Sequence, residues 1–509
     1  MNIRKLLTRL VSLALIAVFL PTVAMADTWY LEDGSITVSA TDSGQNVSQG
    51  GVTKEDSAPV IRNRDSSAST TNNVTIKADT GATANVTLEN TNIDTTGGAG
   101  PKGAGDAAVR TEGGGNVNLN VELDNTLQSG NTHAGVEKGN GGNLTIGSES
   151  GSGQLVAVGA DGGAGIGSED RLASGNYNVG NITITGGDIF ATGNGGGAGI
   201  GGGWYCSASD ITITGGNVTA VGKEDNPNRI GGAGIGGGGS QSSNAGGGSN
   251  LKITGGRVTA VGGNFSAGIG GSIGSNGDNI TISDAEVIAI GGTCAAGIGG
   301  GCRLGNGIVG QGTNISISGS ANVKAAGGVG DSMDGAGAAI GAGGSHQGTT
   351  AQEGAADTSG LSPDGSVERL DPGTTFDIPQ PKPRSSFPKP TPDPVAVEEE
   401  PQPVKAALYR VIDDAGKALP VEAKQEDGVL LLTAQADIAI LEGAISGLQT
   451  LQSRGIDTIT FTNGTISVSF SLAEVIAKGA SSDVYRLTLS GGEANFTLAD
   501  ADITALLGK

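Results

Sequence analysis

The sequence predicts a mainly β protein, in which a right-handed parallel β-helix is followed by a small α+β domain. Three observations predict this architecture. A glycine-rich motif recurs along most of the chain, each copy holds three short extended runs, and aromatic residues form only 3% of 509 residues while 94 are glycine. A chain with so few large side chains cannot fill an ordinary globular core, whereas stacked repeats need only a thin one.

The chain begins with the residue order of a secretory signal peptide, residues 1–26. Arg4, Lys5 and Arg9 precede the apolar run LVSLALIAVFL and the small residues AMA. We expect a mature chain that starts at Asp27 and is secreted, either released outside the cell or associated with the cell surface. No later stretch has the roughly 18 apolar residues of a membrane span, so no integral membrane segment is expected after cleavage.

The charge of the mature chain argues against nucleic acid as a partner. Removal of the signal peptide leaves 26 basic and 51 acidic residues, a net charge of −25. Such a surface repels phosphate backbones.

The clearest copy of the repeat is NITITGGDIFATGNGGGAGIGGG, residues 181–203. Its runs, such as ITIT and AGIG, are separated by glycine or polar corners, which predicts three strands per coil. The G-x-G-x-x-G string inside it is not a phosphate loop, because such a loop opens a helix and here another strand follows. The copies begin at Asn85, Asn120, Asn143, Asn181, Asp210, Asn250, Asn279 and Asn314.

Alternation within the first run predicts which side chains face the core. One interior ladder is predicted to contain Ile182, Ile211, Leu251, Ile280 and Ile315, and another Ile166, Ile200, Ile235, Ile269, Ile298 and Ile340. The polar outer ladder contains Thr183, Thr185, Thr212, Thr214, Lys252 and Thr254. Its hydroxyls either match a regular lattice, such as ice or a crystalline glycan, or simply suit exposed strand positions. The Asn or Asp that opens each copy is predicted to turn a corner and to hydrogen-bond to its copy one coil away.

Composition divides the mature chain into three parts. Residues 27–343 are predicted to form the β-helix with N-terminal capping strands, and residues 344–404 a Pro-rich acidic linker. Residues 405–509 are predicted to form the α+β domain, in which DIAILEGAISGLQTLQSRG is an amphipathic helix and DTITFTNGTISVSFS a hairpin around Asn463-Gly464.

The three cysteines are predicted to form no disulfide. Cys294 and Cys302 flank the third strand of one coil, and if the residues between them are extended, about 20 Å or more separates them. Cys206 lies three coils away. Neither a metal nor a cofactor is expected.

A polysaccharide-cleaving enzyme must be weighed, because such enzymes also use the β-helix. Hydrolysis needs paired carboxylates, and a lyase needs a metal-binding acidic cluster with a basic residue nearby. Only Glu89, Glu122 and Asp124 are predicted to stack as carboxylates on the outer face, and a solvated surface explains them on so acidic a chain. His133 and His346 lie far apart in the repeat, so we expect neither to be catalytic.

The aromatic residues Tyr177, Trp204 and Tyr205 are the candidates for carbohydrate binding. They lie in the inserts between the third strand of one coil and the first strand of the next. Exposed rings at one corner would stack on sugar faces. The alternative is that the rings fold back and cover the edge of the coil.

The runs WYLEDGSITVSATDSGQNVSQGG, NVTLENTNIDTT, VELDNTLQSGNTHAGVEK and the AGIGGG units resemble a module of large secreted and surface proteins of Gram-positive anaerobes. The resemblance covers most of residues 27–343 and implies an adhesin-like or carbohydrate-binding β-helix, without matching site residues. We therefore predict a non-enzymatic secreted or cell-surface protein that acts by adhesion or carbohydrate binding, with a polysaccharide or a host or cell-wall glycan as its partner. The alternatives are a polysaccharide lyase or glycoside hydrolase, and a structural surface spacer.

Overall fold

The computed structural model describes residues 27–97, 106–130, 132–170, 178–223, 230–241, 246–303, 308–345, 350–351, 353–384, 409–414, 417, 419, 421–426, 428–434, 436–453, 456–480, 483–499 and 501–508. Contacts divide the chain into two compact units, residues 1–393 and 394–509. The predicted signal peptide and Tyr177 lie outside the described residues.

The described strands of the first unit stack into three sheets, and the chain visits the sheets in turn. The first sheet contains β1 (Thr28–Tyr30), β5 (Val60–Arg62), β7 (Thr83–Glu89), β10 (Asn116–Glu122), β13 (Leu144–Gly147), β16 (Ile182–Ile184), β19 (Ala208–Ile213), β22 (Gly248–Ile253), β25 (Gly277–Ser283), β28 (Gly312–Ser318) and β31 (Ala356–Asp357). The second contains β8 (Asn92–Asp94), β11 (Asp124–Gln128), β14 (Gln154–Asp161), β17 (Asp188–Asn194), β20 (Asn217–Gly222), β23 (Arg257–Val261), β26 (Glu286–Ile290), β29 (Asn322–Ala326) and β32 (Ser366–Leu370).

The third sheet contains β2 (Ile36–Thr41), β3 (Gly44–Gln49), β4 (Val52–Glu55), β6 (Val74–Ala78), β9 (Val109–Gly113), β12 (Val136–Lys138), β15 (Ile166–Gly167), β18 (Ile200–Gly201), β21 (Ile235–Gly236), β24 (Ile269–Gly270), β27 (Ile298–Gly299) and β30 (Ile340–Gly341). Successive coils pair in parallel, which confirms the predicted parallel β-helix. β2, β3 and β4 form an antiparallel meander at one edge of the third sheet.

The interior ladders are confirmed. Ile182 pairs with Ile211 and Ile211 with Leu251, and each of these side chains is buried. The second ladder runs through Ile200, Ile235 and Ile269 in the same way. Because each coil adds only a few Ile, Leu, Val and Ala side chains, the core is thin but continuous along the stack.

The corner ladder is confirmed where the copies are regular. Asp210, Asn250 and Asn279 have φ angles of 53°, 51° and 55°, a left-handed conformation that Asn and Asp tolerate. The Nδ2 atom of Asn250 donates to Oδ1 of Asp210 at 3.1 Å, and that of Asn279 to Oδ1 of Asn250 at 2.6 Å. The prediction that Asn85 and Asn120 belong to this ladder is wrong.

Asn85 and Asn120 miss the ladder because the early strands begin at a different point of the coil. Asn85 pairs with Asn118, and Asn120 pairs with Thr87. Leu144 pairs with Val117, so Asn143, the residue before Leu144, is aligned with Asn116 of the preceding coil and not with Asn120.

The third strand of each regular coil is not an extended run but the tip of a narrow loop. In the coil of Ile298, the backbone N–H of Ala296 donates to the carbonyl of Gly300 at 3.0 Å, so the chain runs toward the core and then back out. We call the segment from four residues before to four residues after the tip isoleucine a finger, here residues 294–302. The same bond closes the finger around Ile235, from Ala233 to Gly237 at 2.8 Å.

The finger explains why the predicted absence of a disulfide is wrong. Cys294 and Cys302 stand at the two ends of one finger, their Cα atoms 5.3 Å apart, and they are bonded to each other. The prediction assumed an extended chain between them, whereas the chain doubles back at Ile298. Cys206 is buried and keeps its thiol.

The predicted linker begins too early at residue 344. β31 pairs with β28, and β32 pairs with β29, so the coil continues to Leu370. Residues 371–384, here called the strap, then run back along the second sheet and reach Asp188, Gln154 and Asp124. The rest of the predicted linker, from residue 385, lies outside the described residues.

The second unit is an α+β domain, as predicted. Its sheets contain β33 (Arg410–Ile412), β36 (Ile438–Ala444), β39 (Val484–Ser490), β40 (Glu493–Leu498) and β41 (Ala501–Asp502), and β34 (Val421–Glu426), β35 (Val429–Ala434), β37 (Thr458–Thr462) and β38 (Ser467–Ser471). The α-helices among its described residues are α1 (Ile445–Ser453) and α2 (Leu472–Ile476), and a 3-10 turn spans Thr504–Leu506.

One helix prediction in this unit is half wrong. The segment predicted as one amphipathic helix is a strand up to Ala444, and α1 begins only at Ile445. The apolar run of β36 lies between β33 and β39 and is largely buried, so its sheet neighbours determine its conformation. The predicted hairpin of β37 and β38 is confirmed.

Candidate functional site

The predicted aromatic site is not an exposed ring surface. Trp204 is only 4% exposed and packs with Ile230 and Ile273, against the half-buried Tyr205 and Phe265. Its ring also lies over Gly196, where an added Cβ would be 1.9 Å from Trp204 Cε3. The prediction of Trp204 as a sugar-stacking residue is therefore wrong.

The rings fold inward because Trp204 stands at the end of a finger. Trp204 follows Ile200 by four residues, as Ile273 follows Ile269 and Cys302 follows Ile298. Trp204 and Ile273, at two finger ends, form with Ile230 a small apolar cluster separate from the main core. Tyr205 meets Trp204 edge-on, with ring centroids 5.3 Å apart, and Tyr177 lies outside the described residues.

The polar outer ladder lies on the surface of the first sheet. Thr183 pairs with Thr212, and Thr212 with Lys252, so these side chains point outward in successive coils. Thr185, Thr214 and Thr254 follow at the strand ends, where the Thr185 and Thr214 hydroxyls donate to backbone carbonyls of the preceding coil. This ladder is regular over the described coils, but its hydroxyls are partly used by the fold itself.

The predicted carboxylate stack is only partly assembled. Glu89 and Glu122 are in register, but Glu89 forms an ion pair with Arg62 at 3.1 Å, and Glu122 accepts a hydrogen bond from Ser150 N. Asp124 belongs to the second sheet and contacts Arg384 of the strap at 3.2 Å. No pair suited to hydrolysis results from these three residues.

A different group of ionisable side chains meets on the third sheet. Arg110 lies on β9, Glu137 and Lys138 lie on β12, and β9 and β12 pair so that Arg110 is beside Glu137. His133 lies in the arm of the finger that leads into β12, and Glu169 follows β15 in the next coil. We call Arg110, His133, Glu137 and Glu169 the charged cluster.

The charged cluster is closely connected. Nε of Arg110 donates to Oε1 of Glu137 at 2.7 Å, and Nδ1 of His133 lies 2.7 Å from Oε2 of the same carboxylate. Two further atoms lie near Nδ1 of His133: Nη2 of Arg110 at 3.1 Å and Oε2 of Glu169 at 3.4 Å. The Glu137 side chain is 8% exposed and that of His133 is 12% exposed, so these interactions are only weakly screened by water.

The partners in the cluster shift each other's ionisation. Burial alone would lower the pKa of His133, but its hydrogen bond to Glu137 and the charge of that carboxylate raise this pKa above its ordinary value. Burial alone would raise the pKa of Glu137, but His133 and Arg110 lower it. Glu137 is therefore held as an anion.

Lys138, next to the cluster, has a strongly shifted pKa. Burial lowers this pKa to about 8. Its Nζ donates to the carbonyls of Asn140 and Gly142, the latter at 2.8 Å.

A cavity of about 500 Å³ opens beside the charged cluster. Arg110, Glu137, Lys138 and Glu169 line one part of it, and polar side chains and backbone of neighbouring corners line the rest, including Asn140, Ser168, Asn178 and Asn181. We call this cavity and its lining the polar groove. Its donors and acceptors suit the hydroxyl groups of a sugar, which both donate and accept.

Sequence reasoning missed the polar groove, although one signal was present. In the regular copies a glycine follows the tip isoleucine, as in Ile200-Gly201, whereas Val109 is followed by Arg110 and Val136 by Glu137. These early copies are too degenerate for their register to be read from the sequence. Without the register, His133 and Glu169 could not be placed together.

The fold and these sites define a parallel β-helix repeat protein. A family model described as a beta helix repeat matches residues 182–204, 211–239, 251–274 and 280–302, which are consecutive coils. Comparison with curated proteins and with solved structures gave no match. Among the residues that the structure describes, no helix has the length and apolarity to cross a membrane.

Proposed function

We propose that this β-helix is a non-catalytic carbohydrate-binding protein, secreted or displayed at the cell surface, that binds glycan in the polar groove. One observation carries the proposal: cationic, anionic and amide side chains converge on a single cavity of about 500 Å³. This volume is in the usual range for ligand sites, roughly 300–1,000 Å³. The proposed site therefore differs from the aromatic site that the sequence predicted, but the proposed ligand is a carbohydrate in both cases.

The disulfide supports the extracellular part of the proposal. Cys294 and Cys302 are bonded, and such bonds persist mainly in oxidising compartments. The signal-peptide pattern of residues 1–26 points to the same location.

The experiment incubates residues 27–509 with insoluble plant, mucin and bacterial-wall polysaccharides and measures both retained protein and released sugar. We expect retention on at least one polysaccharide without soluble fragments. Glu169→Gln should weaken retention about tenfold, since one lost charged hydrogen bond costs about 1.5 kcal/mol or more. Glu286→Gln is the matched control, because Glu286 pairs with Arg257 on the second sheet, away from the groove lining. No retention on any polysaccharide would contradict the proposal.

A second candidate function is cleavage of a polysaccharide by elimination. The observation that favours it is that acidic and basic side chains share one groove, as a lyase requires. Arg110 would bind the carboxylate of a uronic acid, and neutral Lys138 would take the proton from the adjacent carbon. A C=C bond would then form as the bond from the next carbon to the glycosidic oxygen breaks, and the leaving oxygen would take a proton from Lys138 or water. In hydrolysis Glu137, held as an anion, would serve as base or nucleophile and not as the general acid. Soluble fragments with a new C=C bond, absent for Lys138→Met, would establish this function instead.

A further inference from the structure

Three side chains of the charged cluster bring possible metal-ligand atoms close together. One ligand atom each from His133, Glu137 and Glu169 lies within 4.8 Å of the other two. We propose that these residues bind a divalent transition-metal ion such as Zn²⁺. The ion site stands on the cluster alone, and only a role for the ion in glycan binding rests on the proposed function.

The spacing of the atoms is close to what Zn²⁺ requires. Tetrahedral Zn²⁺ with bonds of about 2.1 Å separates its ligand atoms by about 3.4 Å. The pair of His133 Nδ1 and Glu169 Oε2 is already 3.4 Å apart. The pair of His133 Nδ1 and Glu137 Oε2, now 2.7 Å apart, must open by about 0.7 Å to reach that spacing.

Arg110 supplies the outer support that metal-binding carboxylates usually have. Its Nε donates to Oε1 of Glu137 at 2.7 Å, which fixes the carboxylate and leaves Oε2 directed at His133. Partners of this kind orient the ligands of a metal. The charges of Glu137, Glu169 and Arg110 sum to −1 once His133 has lost its proton, as metal binding requires.

The two close contacts of His133 Nδ1 cannot both be hydrogen bonds. Its Nδ1 lies 2.7 Å from a carboxylate oxygen and 3.1 Å from the guanidinium of Arg110. A protonated Nδ1 suits the carboxylate but not the guanidinium, and an unprotonated Nδ1 suits only the guanidinium. A cation at Nδ1 would contact both carboxylates, while Nη2 of Arg110 turns away.

The ligand set selects the kind of ion. One imidazole nitrogen with two carboxylate oxygens suits Zn²⁺ and its first-row neighbours, whereas Ca²⁺ takes six to eight oxygens. Glu137 and Glu169 also line the polar groove, so an ion bound to them would lie at the edge of the cavity. There it would hold water or a sugar hydroxyl.

The test titrates ZnCl₂ into chelator-treated residues 27–509 and follows binding by calorimetry, with Co²⁺ absorbance as a second readout. We expect one Zn²⁺ per chain and at least thirtyfold weaker binding in His133→Ala and Glu169→Gln. His346→Ala, which changes the other histidine of the chain, should bind like the wild type. Glu169→Gln keeps the Arg110–Glu137 pair, so its circular dichroism should be unchanged and its loss of binding cannot be attributed to unfolding.

Two results would overturn the site: no saturation at one equivalent of Zn²⁺, or equal affinity in the wild type and His133→Ala. Polysaccharide retention measured with and without chelator separates this inference from the proposed function. Retention that survives chelation leaves the glycan proposal intact, whatever the titration shows. Zn²⁺ binding without retention supports the metal site and contradicts the glycan proposal.

Discussion

Nζ of Lys382 lies 2.6 Å from Oδ2 of Asp188, which comes 194 residues earlier in the chain. The amide of Gln154 holds the backbone of Lys382, accepting from its N–H at 2.7 Å and donating to its carbonyl at 3.1 Å. Arg384 reaches Asp124 one coil further. Between β32 and β11 there are seven strand spacings of roughly 4.8 Å, about 34 Å, which 14 extended residues can span.

The strap contacts predict a local loss of protection when they are removed. Combined Lys382→Ala and Arg384→Ala should speed hydrogen exchange of the Lys382 amide about tenfold, because two partly exposed ion pairs together contribute about 1.4 kcal/mol. Lys324→Ala is the control, since Lys324 forms an exposed pair with Glu368 on the same sheet. Equal exchange in the double variant and the wild type would show that these side chains do not hold the strap.

Glycine is required where the fingers of neighbouring coils meet. Gly236 has a φ angle of 139°, and an added Cβ would lie 2.0 Å from the carbonyl oxygen of Gly270. We expect Gly236→Ala to lower the free energy of unfolding by about 3 kcal/mol through strain and overpacking. Gly97→Ala, where no atom lies within 4 Å of the added Cβ, should change it little. Urea unfolding compares the two, and similar midpoints would contradict the packing described.

The disulfide predicts a redox-dependent stability. Reduction of Cys294–Cys302, which closes a loop with a sequence separation of 8, should cost about 2.5 kcal/mol in the chain-entropy estimate. Thermal unfolding with and without reductant measures the change. A variant with both Cys294→Ala and Cys302→Ala should show no response to reductant, and a response as large as that of the wild type would place the redox effect elsewhere.

Lys138 predicts how stability changes in alkaline solution. Its pKa is about 8 in the folded protein and 10.5 when exposed, so the unfolded chain binds more protons between these values. The free energy of unfolding should therefore gain a positive contribution as pH rises from about 8 to 10.5. In Lys138→Met this contribution should vanish. The check is the free energy of unfolding of both proteins, measured at several pH values between about 8 and 10.5. If it changes with pH by the same amount in both, the burial of the Lys138 ammonium is contradicted.

The core could be predicted from the sequence, but its outer contacts could not. Ile200, Ile235 and Ile269 occur in near-identical copies, so alignment of the copies gives their register directly. Cys294 and Cys302 meet because of the turn at Ile298, and the spacing of residues in a sequence does not reveal that turn. Proline-rich composition is typical of a linker, and nothing local indicates that Lys382 returns to Asp188.

Glycan binding in the polar groove is tested most directly by comparing how strongly one polysaccharide retains the wild type and three variants. We predict that Glu169→Gln and Asn181→Ala lose about tenfold in affinity, whereas Trp204→Ala binds like the wild type although it unfolds about 3 kcal/mol more easily. The opposite pattern, with binding lost in Trp204→Ala and retained in both groove variants, would contradict glycan binding in the polar groove and indicate a binding site around Trp204.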